Sequence, residues 1–405
     1  MAIKPLPPIH CRVNIAELVN IADRAQATLA NLRDDLLEPF PRKVAPTISV
    51  SRIAKLCGLD RLQINYLCSK GNKGTYPIGT IAESKRSRTW SLADAQEFIR
   101  ANGSFKQRPA GQKAMVVSVG NFKGGVGKTT DTVAIAQGLT LKGHKVLLID
   151  LDPQASSTTL MGLVPDAEVT ENMTVMPAVY GDQSDLNYAV IPSYWDGLDF
   201  IPSCPALFGG DYYLPNKQAT DPNFQFWRIL DIAMAPLREK YDVIMIDTPP
   251  SLSYLAIGSF MATDGMIVPL PPETLDFASS TQFFRQFSEL FKSLNSSKSV
   301  EKEFEFIKIV LSKVKQSSAT TPIVKSWIKQ TYHELLCTAE IIDTDIVMNA
   351  SAEFKTLYDL TTYEGSTKTF NRAIDSFDAV VDEIEASIQN AWYIRTLNGN
   401  SNNGE

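Results

Sequence analysis

Residues 123–130 read Lys123-Gly124-Gly125-Val126-Gly127-Lys128-Thr129-Thr130 and stand between an apolar run, Met115-Val116-Val117-Ser118-Val119, and a stretch from Thr130 to Leu141 with 3.6-residue periodicity. The run predicts a buried strand and the periodic stretch a helix, so the glycines fall at a strand-to-helix turn. Such a turn suits phosphate. Glycines let successive backbone N–H groups face oxygens with no Cβ between them, and a helix N-terminus adds about half a positive charge. Lys128 is placed for β and γ phosphates, and Thr129 offers a hydroxyl of the kind Mg²⁺ takes as a ligand. The pattern G-x-x-x-x-G-K-[ST] is met only loosely, because Lys123 stands where its first glycine would be. A glycine-rich turn with two solvated lysines is the plainer alternative; the strand and helix on the correct sides weigh against it.

Two further apolar runs end in carboxylates. Lys145-Val146-Leu147-Leu148-Ile149-Asp150 leads into Leu151-Asp152-Pro153-Gln154, and Tyr241-Asp242-Val243-Ile244-Met245-Ile246-Asp247 leads into Thr248-Pro249-Pro250-Ser251. Open α/β sheets bind ligands at the C-terminal ends of their strands, where these aspartates fall. One such aspartate could be a helix cap; two after a phosphate loop are hard to assign to capping alone. Runs at Gly265–Leu270, Phe306–Leu311 and Thr338–Ile342 alternate with helical stretches. The predicted fold class is therefore α/β, a doubly wound, mostly parallel sheet.

Lys-Gly-Gly-Val-Gly-Lys-Thr-Thr at 123–130, Asp-Leu-Asp-Pro-Gln at 150–154 and Ile-Asp-Thr-Pro-Pro at 246–250 resemble the deviant Walker A, A′ and B motifs of ParA-type partition ATPases, within the wider MinD/ParA group. The likeness spans about 114–385, with its specific motifs before Glu273. It implies a P-loop ATPase domain that hydrolyses ATP to ADP with Mg²⁺. By this likeness residues 123–130 (Lys123, Gly124, Gly125, Val126, Gly127, Lys128, Thr129, Thr130) cradle the nucleotide. Lys123 is the signature lysine that reaches across an ATP-sandwiched homodimer, and Lys128 serves its own phosphates. Asp152 orients or polarises the attacking water, Asp247 holds Mg²⁺ through water while Thr129 supplies a hydroxyl ligand, and Asp150 supports the loop. Val268–Glu273 resembles the family's segment near the base pocket, so adenine is expected near Pro271 and Lys313.

The chain has 405 residues, 44% of them hydrophobic, enough for two or three domains. Its net charge of −6 conceals an asymmetry: residues 1–110 hold 17 Lys and Arg against 9 Asp and Glu, the remainder 22 against 36. A basic N-terminal region on an acidic protein suggests a module facing nucleic acid, although a solvated basic surface would look the same. From Val50 to Lys70 the sequence resembles a helix-turn-helix. Ala54 allows close packing, Gly58 makes the turn, and the second helix carries apolar Leu62, Ile64 and Leu67. Arg61, Gln63, Asn65, Tyr66 and Lys70 would then face DNA, and a wing between Thr75 and Trp90 would bring Lys85, Arg86 and Arg88 to phosphates. An ordinary helical hairpin fits the same residues. Ahead of it, Ile15 to Leu37 carries an apolar stripe, expected to be a dimerisation helix unless it packs on its own chain. Larger ParA relatives share this layout. The expected domains are 1–45 (helix), 46–102 (winged helix-turn-helix), 103–113 (linker), 114–395 (ATPase) and 396–405 (flexible tail).

The resemblance implies two DNA modes. Operator binding by the N-terminal module would repress the protein's own operon. ATP-dependent, sequence-independent binding would use basic residues after the motifs, with Lys313, Lys315, Lys325, Lys329, Lys355, Lys368 and Arg372 as candidates; of these Lys355, Lys368 and Arg372 are preferred. Such binding would fall steeply with salt. A ParB-type centromere-binding protein is the expected partner, with higher-order assembly on DNA left open. A MinD-like membrane switch is disfavoured, because Phe370 to Ile394 carries Asp375, Asp378, Asp382, Glu383 and Glu385 where a basic amphipathic helix would be needed. A metabolic P-loop ligase would share the loop but not the basic module. No apolar run approaches a membrane span, so a cytoplasmic, nucleoid-associated protein is expected. The five cysteines form no C-x-x-C pair, which predicts neither disulfides nor a cluster.

Overall fold

The computed structural model describes residues 14–36, 43–69, 74–81, 87–104, 106–298, 300–361 and 365–401. They divide into one unit up to Val44 and another from Ala45. The first is the helix α1, Ile15–Leu36. It starts on a reciprocal cap: Glu17 N donates to Asn14 Oδ1 (3.0 Å) and Asn14 N to Glu17 Oε2 (2.9 Å). Within this unit Ile15, Leu18 and Val19 are exposed, and Leu37 lies outside the described residues.

The second unit opens with strand β1 (Ile48–Ser49) and helices α2 (Val50–Cys57) and α3 (Arg61–Leu67), followed by strands β2 (Thr80–Ile81) and β3 (Arg88–Trp90) and helix α4 (Leu92–Asn102). Local chemistry sets these bounds. Ser49 caps α2, Gly58 ends it in the left-handed region (φ 66°), and Asp60 and Gln63 form a capping box that starts α3. Ile53, Ile64, Trp90 and Phe98 are buried together, and β1-β3-β2 form an antiparallel wing sheet. Leu62 is 79% exposed, contrary to expectation, because a seven-residue helix turns few positions inward and Ile64 is its buried residue.

The main sheet has eight strands. In chain order they are β4 (Met115–Val119), β5 (Val146–Asp150), β6 (Ile191–Pro192), β7 (Leu198–Ile201), β8 (Val243–Asp247), β9 (Gly265–Leu270), β10 (Phe306–Val314) and β11 (Leu336–Ile342). Their spatial order is β11-β10-β9-β4-β8-β5-β7-β6, parallel throughout except for β6 against β7. The sheet is the doubly wound arrangement expected, with β6 and β7 added at one edge; both are too short to show a pattern in sequence. Helix α5 (Lys128–Leu141) follows β4, and helix α6 (Ser156–Leu160) follows β5.

The C-terminal helix, Thr367–Ser401, crosses α5 at Gly138, where a Cβ would meet Val381 Cγ2 at 2.5 Å. Residues 396–401, expected as a flexible tail, continue this helix. Buried Trp392 donates to Lys113 O (3.1 Å), and Gln112 Nε2 donates to Thr396 Oγ1 (3.3 Å), so the helix end is tied to the segment leading into β4.

The wing module is docked on this helix by charge. The Arg52 guanidinium holds Asp378 with both nitrogens (Nη2 to Oδ1, 2.7 Å) and lies 5.6 Å from the Tyr358 ring centre; Tyr358 Oη donates to the same carboxylate (2.9 Å) and Lys55 Nζ to its other oxygen (2.7 Å). Burial alone would raise the Asp378 carboxyl, but Arg52 and then Lys55 bring it down to about 2. Its contribution to stability is complete above 3.8 and lost as pH falls through about 2. Asp378→Ala strands a buried guanidinium, so a loss of about 3 kcal/mol is expected. Calorimetry should show a lowered or divided transition, and a melt superimposable on wild type would refute the docking role.

Candidate nucleotide site and DNA-facing surfaces

The loop from Gly120 to Gly127 joins β4 to α5, with Gly125 (φ 76°) and Gly127 (φ 102°) in conformations that favour glycine. It is held from behind. Buried Asn121 donates to Pro269 O on β9 (2.9 Å) and accepts from Lys123 N (3.1 Å), while Thr248 Oγ1 donates to Val119 O (2.8 Å). The two lysines have separate partners. Lys128 is buried with Nζ on Lys123 O (2.9 Å), inside its own loop. Lys123 instead turns Nζ to Asp276 Oδ1 (2.8 Å), a buried carboxylate on the first turn of helix Thr274–Lys298. Burial lowers the Lys128 pKa, opposed by Asp247 and Asp152.

Parallel pairing places Asp150 opposite Asp247 at the C-terminal ends of β5 and β8. Asp247 is fully buried, accepts Ser157 Oγ (2.8 Å), and is also hydrogen-bonded by Thr129. Burial raises its pKa to about 6 against those bonds, with the charge of Asp152 adding to the rise. Asp150 accepts Thr158 N (2.9 Å), Thr158 Oγ1 (2.8 Å) and Asp152 N (3.1 Å); burial and then the nearness of Asp247 push it well above the ordinary carboxylate range. Asp152 is nearly buried, and Ser203 Oγ donates to its carbonyl (2.6 Å). Among the described residues no group of three or more His, Cys, Asp or Glu forms a metal cage. A magnesium ion held mainly by water and phosphate needs none: one hydroxyl and one carboxylate that pays to be charged without a cation, here Thr129 and Asp247, fit such an ion.

These bonds bring Lys123, Lys128, Thr129, Asp150, Asp152 and Asp247 together. Asn121, Ser157, Thr158, Ser203 and Asp276 complete the site and had no motif to announce them. Pro271 directly follows β9. Lys313, expected beside the base, reaches the loop itself, with Nζ on Gly125 O (2.6 Å).

The DNA-facing candidates divide. Asn65 and Tyr66 are exposed on α3. Gln63 is taken up by its capping box with Asp60, and Arg61 Nη2 donates to Ser51 Oγ (2.7 Å). Arg88 is half-buried, with Nη1 donating to Ile78 O (2.7 Å) and Gly79 O (3.2 Å). Lys70, Lys85 and Arg86 lie outside the described residues. Lys368 is exposed, Lys355 pairs with Glu353 (3.0 Å) and Arg372 with Gln316 (2.5 Å). Cys57, Cys68, Cys204 and Cys337 are buried free thiols, and among the described residues no helix is long and apolar enough to cross a membrane.

Residues 114–300 match a family model described as an AAA domain. The chain is 31% identical over 388 residues to a putative replication protein A of Rhizobium rhizogenes, covering 91% of this chain and 94% of that one. It is 29% identical over 378 residues to protein SopA of Escherichia coli K12, with the same coverage of 91% and 94%. A solved structure titled partition protein superposes over 92% of this chain and 98% of its own at a TM-score of 0.65 and 21% identity.

A carboxylate raised by burial favours the fold fully below 3.8 and loses that contribution as pH rises through about 6, so Asp247 weakens the empty protein at neutral pH. Asp247→Asn should therefore raise nucleotide-free stability at pH 7.5 by on the order of 2 kcal/mol while abolishing Mg²⁺-dependent hydrolysis. Thermal melts at pH 4 and 7.5 test this, and an Asn variant less stable than wild type at pH 7.5 contradicts it.

Proposed function

The chain belongs to the ParA/SopA-type plasmid partition ATPases, and from that premise we propose that it works as an ATP-sandwiched dimer on DNA and represses its own operon. The observation that carries this reading is the divergence of the two loop lysines, one folded into its own loop and the other turned away to Asp276. A single-chain phosphate site needs only Lys128. The second lysine has a purpose where two copies face each other, as an arginine finger does in other phosphoryl-transfer sites.

In this mechanism the loop N–H groups and Lys128 hold the β and γ phosphates. Thr129 and Asp247 would hold Mg²⁺, which would supply neutralisation of the negative charge on the phosphates. Asp152 orients the attacking water, steadied through its backbone by Ser203 and Asp150. Lys123 leaves Asp276 for the phosphates of the second copy and stabilises the charge that develops as the γ-phosphoryl is transferred. Residues 46–102 bind the operator, with Asn65 and Tyr66 as the readers best supported by their exposure. Nonspecific DNA is met by local basic residues, Lys368 and Arg372 foremost, since the ATPase part as a whole is acidic. A ParB-type protein stimulates hydrolysis. The stripe on α1 serves dimerisation.

Binding to random-sequence duplex DNA with ATP, ADP and no nucleotide, at two salt concentrations, tests the reading. Binding should require ATP and weaken steeply with salt. Lys128→Gln should lose it along with nucleotide affinity, whereas Asn65→Ala should weaken operator binding about tenfold and spare the nonspecific mode. Nonspecific binding indifferent to nucleotide, or equal loss of both modes in Asn65→Ala, would contradict the assignment.

A further inference from the structure

β10 carries an irregularity that its neighbours do not explain. Its register against β11 slips between Leu311, opposite Glu340, and Val314, opposite Ile342, so three steps on one strand face two on the other. The extra residue falls at Ser312-Lys313, and Lys313 has a φ of +53°, in the left-handed region that non-glycine residues seldom adopt. Bulges of this kind re-aim side chains beside active sites, and backbone strain persists only where its surroundings impose it. Here both sides of the bulge are tied to the phosphate loop. Ser312 Oγ donates to Asp131 Oδ2 (2.5 Å), a fully buried carboxyl one turn into α5, and Lys313 Nζ donates to Gly125 O (2.6 Å).

We infer that Lys313 is a positioning residue of the phosphate cradle, whose ammonium fixes the Gly125–Val126 peptide in the orientation that nucleotide binding requires. This rests on the reading of residues 123–130 as an ATP site. In a trans peptide the N–H points opposite to the C=O, so holding the Gly125 carbonyl sets the direction of the Val126 N–H, one of the loop's donors. Gly125 is free to populate either sign of φ, so this peptide is open to flipping unless something outside the loop holds it. The Ser312–Asp131 bond keeps the bulge against the start of α5, and the bulge in turn carries the lysine to the loop. Lys313 acts through the backbone, which separates it from Lys128 and from Lys123.

The test is equilibrium titration of Mg·ATP and Mg·ADP on the full chain, alongside steady-state hydrolysis. Lys313→Asn keeps a residue that tolerates the left-handed region, and Lys313→Gly removes the strain together with the ammonium. Both should weaken ATP and ADP about tenfold, the worth of one charge-assisted hydrogen bond, with KM rising and kcat at saturation changed less than about threefold. Lys313→Arg should recover most of the affinity. Wild-type affinity in the Asn and Gly variants would overturn the role, as would recovery by Gly alone, which would assign the loss to backbone strain. Lys128→Gln run in parallel separates the two levels. If it binds ATP normally, the cradle assignment itself fails; if it is inactive while Lys313→Asn is normal, only the role of Lys313 fails.

Discussion

Everything at the nucleotide site depends on two carboxylates that parallel pairing forces side by side. Asp150 and Asp247 end neighbouring strands at the same register, both buried, with neutral hydroxyls and backbone N–H groups as their hydrogen-bond donors. Such a pair resists ionisation unless a cation arrives, because burial and mutual repulsion act in the same direction. The surroundings are arranged to tolerate it. Thr158 supplies two bonds to Asp150, Ser157 and Thr129 bond Asp247, and Lys128 lies close enough to favour its charge. The empty site is thus poised for a divalent ion and a polyphosphate, and the cost of that poise falls on the stability of the empty fold.

The parts legible in sequence were those with strong periodicity or rigid loop chemistry. Six parallel strands were read from apolar runs, and the phosphate loop and both carboxylate turns from the glycines and aspartates at the ends of three of them. What stayed hidden was set by tertiary contact. β6 and β7 have too few residues for a pattern, and Ser157, Thr158 and Ser203 are ordinary residues until the fold brings them to Asp150 and Asp247. Arg88 has the composition of a DNA contact, yet its Nη1 is engaged by the Ile78 and Gly79 carbonyls, bonds that exist only once the strands pair. Gln63 has a structural bond that its side chain alone does not announce: the residue three positions after an N-cap is drawn back to that cap through its Oε1. The tail from 396 to 401 looked polar and loose because the contacts that hold the helix end come from Gln112 and Lys113, far away in sequence.

Between the nucleotide loop and the wing module the protein is continuous. α5 begins at Lys128; one face of it carries Gln137, which accepts Thr356 Oγ1 (2.7 Å) and donates to Tyr194 Oη (3.0 Å), and Tyr194 donates to Asp359 (2.6 Å). Thr356 and Asp359 bracket Tyr358, whose hydroxyl meets Asp378 together with Arg52 of α2. The C-terminal helix lies against α5 so closely that only glycine fits at position 138. A module on a flexible tether would not need this chain of buried polar bonds. Docked through it, the wing module keeps a fixed orientation to the phosphate loop, with few soft contacts between α5 and α2.

The same rigidity explains why the two loop lysines can differ in role although five residues separate them. Lys128 starts α5, so its backbone is fixed by the helix and its side chain curls into the loop it helps to close. Lys123 stands before the glycines, on the part of the loop held by Asn121 to β9, and its side chain leaves the cradle for the neighbouring helix at Asp276. A lysine kept on a buried carboxylate gives up that pairing only for comparable negative charge, because leaving Asp276 unpaired is costly. In the proposed sandwich dimer a second copy presenting nucleotide phosphates would supply such charge, whereas water would not. The ion pair with Asp276 would then make the departure of Lys123 conditional on a loaded partner.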